Sequence, residues 1–250
     1  MYSWAEKRRA TLIAIFVAGL FVFLVSSWRI LFYTRATCTD GVQNNGERGV
    51  DCGGACARLC VGEALPPLVH FARAVETEKG IWGVVAYLEN RTKGAGVPRM
   101  PYVFKLYDEQ NILVAERHGT ASVPAETAFA IFEGALMTGD RVPSRASFEF
   151  TAPLVFERVS ERPAFRISNQ HFESGAVSRL EATLANPTLT ALAHISVTAL
   201  LFGADGNVFA ASETEVSSLS KFGSVSLSFT WPRALPAPAR IELLSRLQTQ

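Results

Sequence analysis

Cysteine is absent from Val61 to Gln250, so no disulfide, thiolate metal site or thiol redox pair can be assembled from that stretch alone. Catalytic signatures are missing as well. The chain has no G-x-S-x-G elbow, no G-x-x-x-x-G-K-[ST] phosphate loop and no H-E-x-x-H pair. Histidine is sparse: His70, His118, His171 and His194 stand singly, without metal-like spacing. Nor is there an excess of one charge. The 24 basic and 23 acidic residues leave a net +1, which argues against nucleic acid as a partner, since that role wants a concentrated basic face. No catalytic residue is assigned, and the chain reads as a non-enzyme.

What is present begins with a long apolar run. Ala10 to Ser27 carries no charge, and apolar character resumes at Ile30-Leu31-Phe32-Tyr33. That length suits a helix crossing a hydrocarbon layer of about 30 Å. Trp28 and Tyr33 are placed as interfacial rings, and Lys7, Arg8 and Arg9 precede the run. The positive-inside rule then puts residues 1–9 in the cytoplasm, a signal-anchor helix at 10–33 in the lipid bilayer, and the rest outside. A cleaved secretory signal would have a shorter apolar core and a small-x-small cleavage site.

All four cysteines, Cys38, Cys52, Cys56 and Cys60, fall in a module spanning 34–62. Outside the cytoplasm they are expected to be oxidised. Four cysteines allow three pairings and spacing alone does not choose among them; Cys56–Cys60 with Cys38–Cys52, and Cys38–Cys56 with Cys52–Cys60, are equally open. Its large apolar residues are few (Val42, Val50, Leu59), so cross-links rather than a core would hold its shape. Three other readings compete. Zinc lacks paired C-x2-C knuckles here. Calcium could use Asp40, Asn45, Glu47 and Asp51, hard oxygen donors among turn-forming glycines, although the spacing is not that of an EF-hand. A thiol-dependent redox protein would need an accessible cysteine of depressed pKa. The string Asp40-Gly-Val-Gln-Asn-Asn-Gly-Glu-Arg-Gly-Val-Asp-Cys-Gly-Gly-Ala-Cys56 resembles short Cys-rich modules of exported and surface proteins, departing from them by one extra residue after Cys38. The resemblance implies an extracytoplasmic spacer.

The remainder repeats. Shifted by about 96 residues, Val84–Asn90 falls on Leu180–Asn186, Phe104–Leu106 on Leu200–Phe202, and Gln110–Ala115 on Gly206–Ala211, without a gap. Each copy reads as strands. Residues 82–90 alternate, 102–107 and 112–117 flank a polar turn, and 127–135 and 145–152 follow. The second copy has 223–231 and 239–244, with Asp205-Gly206 as a hairpin signal. Leu68 to Glu76 and Ala164 to Phe172 are expected as the first strand of each copy. Pro153 to Pro163 is read as a connector, and Lys93 to Arg99 as a basic loop. Asn90-Arg91-Thr92 matches a glycosylation sequon but is better read as closing a strand. His194 reads as a buried core histidine, and Trp82, Phe129, Phe148, Phe229 and Trp231 as core, with Trp82 and Trp231 at strand ends. The expected fold is all-β: two tandem β-sandwiches at 63–155 and 156–250.

Phe104-Lys105-Leu106-Tyr107-Asp108, with Asn90 upstream and Asn111 to Ala115 downstream, resembles the FxLYD domains of bacterial envelope proteins. That likeness covers about Gly83 to Ala135 and implies immunoglobulin-like sandwiches of unassigned role; the second copy departs from it, reading Leu200-Leu-Phe-Gly-Ala204. Anchor, cassette and paired domains together resemble bacterial single-pass envelope proteins. The expected role is a non-catalytic interaction or assembly component with an envelope protein as partner, the alternatives being a calcium- or ligand-sensing module or the thiol chemistry above.

Overall fold

The computed structural model describes residues 4–32, 37–159 and 165–248. Tyr33, the end of the expected connector at 160–163 and Ala164 lie outside the described residues. The chain divides into two compact units, Met1–Asp51 and Cys52–Gln250.

In the first unit, α1 (Trp4–Phe32) is one unbroken helix. Its segment Lys7–Arg29 has a mean hydropathy of 2.5 and no buried residue, so it is long and apolar enough to cross a membrane. A helix apolar all round has no polar face to offer water. Residues 37–51 form a tight turn in which Gly41, Asn45, Gly46 and Asp51 take left-handed backbone angles.

The second unit is all antiparallel β. Its strands are β1 (Leu68–Glu78), β2 (Ile81–Asn90), β3 (Ala95–Tyr107), β4 (Leu113–Val123), β5 (Thr127–Met137), β6 (Arg145–Phe150), β7 (Glu157–Arg158), β8 (Arg166–Glu173), β9 (Ser178–Ala185), β10 (Leu192–Phe202), β11 (Val208–Leu219), β12 (Ser224–Trp231) and β13 (Arg240–Leu247). Sheets β1-β2-β5 and β4-β3-β6 close the first sandwich, with β7 also on β3; sheets β12-β9-β8 and β11-β10-β13 close the second. The topologies coincide strand for strand, β7 excepted. The first core holds Val84, Ala86, Leu88, Phe104, Leu106, Phe129 and Ile131; the second holds Leu180, Leu184, Ile195, Val197, Leu201, Phe229 and Trp231.

Side-chain chemistry repeats with the topology. The amide of buried Asn90 donates to Ala95 O and Pro124 O and its carbonyl accepts from Thr92 N–H; that of Asn186 donates to Thr190 O and Ser220 O and accepts from Thr188 N–H. Each asparagine thus ties three backbone segments together at one end of its sandwich. The burial of Asn90 also explains its place at a strand end: the side chain that a glycan would need is used inside.

The repeat is not gapless. Asn90 matches Asn186 at an offset of 96, but the hairpin runs one residue short. Asp108 N–H bonds Ile112 O where Gly203 N–H bonds Asn207 O, and left-handed Asn111 matches Gly206. In β3 and β10 the true equivalents are therefore Phe104 and Ala199, Lys105 and Leu200, Leu106 and Leu201. Side chains alternate faces, so a one-residue slip would have put Leu200 in the core; the shorter offset keeps inward positions inward.

Leu200 faces outward and is nevertheless fully buried. With Phe202, Val208, Ala211 and Leu244 it packs on Phe71, Val75, Val85, Tyr87, Ala130 and Phe132 of the first sandwich. This third core joins the two sandwiches back to face. In the first copy, the positions of Leu200 and Leu244 are taken by Lys105 and Glu149, an ion pair at 2.7 Å. In the second, the positions of Val85, Tyr87, Ala130 and Phe132 are taken by Glu181, Thr183, Ser226 and Ser228. Near-continuous apolar runs such as Val84–Leu88 and Val197–Phe202 are the mark of strands covered on both faces.

Three further expectations change. Ala95, Gly96 and Val97 are buried in β3, so the expected basic loop is mostly strand. Phe156 lies in the first core and β7 pairs with β3, so Phe156–Arg158 belong to the first sandwich, not the second. His194 is 42% exposed in its side chain, with a left-handed backbone, and is no core histidine. Its position before the two-faced burial of β10 begins accounts for this. Trp231, by contrast, is buried and donates its indole N–H to Ala211 O at 3.0 Å.

Candidate functional site

The cassette is oxidised. Cys52 bonds Cys60, Cys38 and Cys56 are disulfide-bonded too, and no cysteine is free. Of the three pairings open to the sequence, the Cys52–Cys60 bond belongs to the one that pairs Cys38 with Cys56. Thiolate zinc and thiol redox chemistry both need sulfur that is here committed to disulfides. The stretch from Cys52 onward is stitched to the first sandwich rather than standing apart. Leu59 N–H donates to Phe156 O (2.9 Å), Arg158 N–H to Ala57 O (2.8 Å), and Leu59 packs on the first core.

The calcium candidates sit in the turn of the first unit. Asp40 accepts from the amides of Thr37 and Val42 and from the Asn44 side chain, each at 3.0 Å. These bonds hold its carboxyl below the usual carboxylate range, Asn44 first among them. Asp51 accepts Gly41 N–H on both oxygens, and buried Glu47 accepts Asp51 N–H at 3.1 Å. Asn45 is exposed, and Asn44 is the asparagine turned into the network. The carboxylates act as turn caps, each accepting N–H groups of the turn itself.

A second place gathers polar groups from distant strands. A cleft of about 300 Å³ opens where the sandwiches meet, lined by Arg99, Tyr102, Phe132, Glu133, Glu213, Arg246 and neighbours. The polar half of β10's outward face adjoins it: buried Thr198 donates to Glu213 at 2.8 Å. Arg246 is 7% exposed, lies 3.6 Å from Glu213, and its Nε has no hydrogen-bond partner among the described residues. Tyr102 donates to Glu133 at 2.8 Å; burial, then the Glu133 charge, raises the phenol's pKa well above the ordinary tyrosine value. Tyr102 fits because residue 119 is glycine, where a Cβ would lie 2.3 Å from the ring. Sequence reading missed this site, since its residues come from β3, β5, β11 and β13 and share no local pattern.

A third feature is apolar. Leu189 and Phe222, 77% and 66% exposed, occupy adjoining turns that share the bond from Phe222 N–H to Thr188 O. Both turns are pinned by Asn186, and Phe222 has a left-handed backbone.

These features define an all-β, two-sandwich protein carrying one apolar N-terminal helix. No known protein family matches the chain, and no curated protein matches it. Among solved structures it is similar to red sea bream transglutaminase, at 13% identity and a TM-score of 0.27, over 74% of this chain. It spans 30% of that enzyme's length. It is also similar to the tandem CBM22 domains of Paenibacillus barcinonensis Xyn10C, at 8% identity and a TM-score of 0.16, over 77% of this chain and 92% of that one. Neither likeness bears on activity.

Proposed function

We propose that the protein is a membrane-anchored, non-catalytic component of the cell envelope, with its N-terminus in the cytoplasm and both sandwiches outside. In this reading the sandwiches are immunoglobulin-like, the first of FxLYD type, and they bind another envelope protein. Lys7, Arg8 and Arg9 ahead of the apolar span support the orientation, and oxidised cysteines support an extracytoplasmic compartment. The observation that carries the binding role is the pair Leu189 and Phe222. Two large apolar side chains stand in water on turns that buried Asn186 pins, on a body whose two sandwiches share the third core. Exposed apolar groups held in place suit the centre of a protein contact, because little side-chain or loop entropy is left to lose.

The test places a photo-crosslinking phenylalanine at position 222 of the full chain in cells, with position 226 on the polar face of β12 as control. The expected result is covalent capture of one identified envelope protein at 222 alone, abolished by Leu189→Ala. No adduct, or the same adducts at both positions, would overturn the proposal.

A further inference from the structure

The junction cleft has a balanced and incompletely paired set of charges. Arg246 comes from β13, and Arg99 from β3 is exposed at the rim. Glu213 and Glu133 face them from β11 and β5, and Arg117 of β4 stands 3.8 Å from Glu133. Burying a guanidinium is favourable only when its donors find acceptors, and a hydrogen bond to it spans about 2.7–2.9 Å. Arg246 falls short of that. Its contact with Glu213 is 3.6 Å, its Nε has no partner among the described residues, and the side chain is more than nine-tenths buried. Glu133 is half-satisfied in turn, with Tyr102 on one oxygen and a distant Arg117 on the other. Junctions between domains are frequent places for small-molecule sites, and a few convergent polar groups then set the orientation.

We propose that this cleft binds a small zwitterion of the free α-amino-acid class. The ligand carboxylate lies toward Arg246 and Arg99, and its ammonium lies between Glu133 and Glu213. A cleft of about 300 Å³ has room for such a molecule. Because both sandwiches furnish its walls, an occupant reinforces their junction as well as filling it.

The experiment is calorimetric titration of the full chain in nanodiscs with each of the common L-amino acids in turn. At least one is expected to bind. Its N-acetyl and its C-terminal amide derivatives, each lacking one charge, are expected to bind about tenfold more weakly or worse. Arg99→Ala and Glu133→Gln should each weaken binding by a similar factor. Arg99 is exposed, so its replacement leaves folding intact; NMR of the Arg246 Nε–H resonance, shifting only with the intact zwitterion, provides a second readout. Three results overturn the proposal: no heat with any amino acid at concentrations up to about ten times a millimolar Kd, equal binding of the acetylated or amidated forms, or unchanged affinity in both variants.

Discussion

Leu200→Ala should destabilise the second unit far more than its counterpart in the first copy, Lys105→Ala. Leu200 is fully buried although it points away from the core of its own sandwich. The substitution removes three carbons, about 2.4 kcal/mol of transfer free energy at about 0.8 kcal/mol each. The cavity left behind raises this to about 3–4 kcal/mol, because packed neighbours collapse only in part. Lys105 and Glu149 occupy the corresponding sites as a partly solvated pair, with side chains 27% and 50% exposed. Such pairs contribute about 0–1 kcal/mol. Urea denaturation of the full chain in micelles, followed by hydrogen exchange of β2 and β10 together, measures both. Wild type should unfold in one transition. Leu200→Asp, which places a charge in the third core, should split it into two, with β2 and β10 losing protection at different urea concentrations. A loss below about 1 kcal/mol for Leu200→Ala, or a single transition in Leu200→Asp, would refute the claim that this core couples the sandwiches.

Other consequences are open to measurement. Asn90→Ala and Asn186→Ala each strand buried backbone groups and should cost about 2–4 kcal/mol apiece in urea melts, against near-neutral effects for exposed Asn45→Ala. Gly119→Ala pushes a methyl into the Tyr102 ring and should lower stability by about 1–3 kcal/mol while removing the Tyr102–Glu133 bond, visible as a downward shift in the Tyr102 titration midpoint. Asp108 is buried, which alone would raise its pKa, but the amides of Ile112 and Gln110 and the Arg141 guanidinium outweigh this and lower it below 3.8. Its contribution is therefore complete above that value and is lost as pH falls through the lower folded-state pKa. Asp108→Asn should flatten the acid limb of stability against pH. Mass spectrometry after thiol alkylation should find no label on the native chain and four labels after reduction; any label before reduction contradicts the fully paired cassette.

The β architecture was legible because alternation along a strand is a local property. Leu68, Ser224 and Arg145 begin strands where pattern and turn residues placed them, within a residue. The apolar helix was equally plain from length and lack of charge. The slip between Asn90/Asn186 and Leu106/Leu201 was not, since apolar residues fill both registers around Leu200 and only a packed core distinguishes them. The third core left a trace, the unbroken apolar runs in β2 and β10, but an apolar run does not say what covers its second face. The cleft left none. Arg246, Glu213, Glu133 and Tyr102 lie far apart in sequence and meet only when two sheets from different sandwiches are laid together. In the cassette, Asp40, Glu47 and Asp51 were recognisable as oxygen donors, while the amides that occupy them depend on the turn geometry.

The back-to-face packing of the sandwiches has an implication for growth. One kind of surface meets a different kind, so the same contact could be repeated on a further copy at either end, as in a stack with no built-in last member. Each free end withholds the matching chemistry. At one end Lys105 and Glu149 stand where Leu200 and Leu244 would invite another layer; at the other, Glu181, Thr183, Ser226 and Ser228 stand where Val85, Tyr87, Ala130 and Phe132 would. Making one end apolar still leaves it facing a polar mate. Two independent terminators thus guard the outer sheets, and growth of a stack through them would need both to be lost.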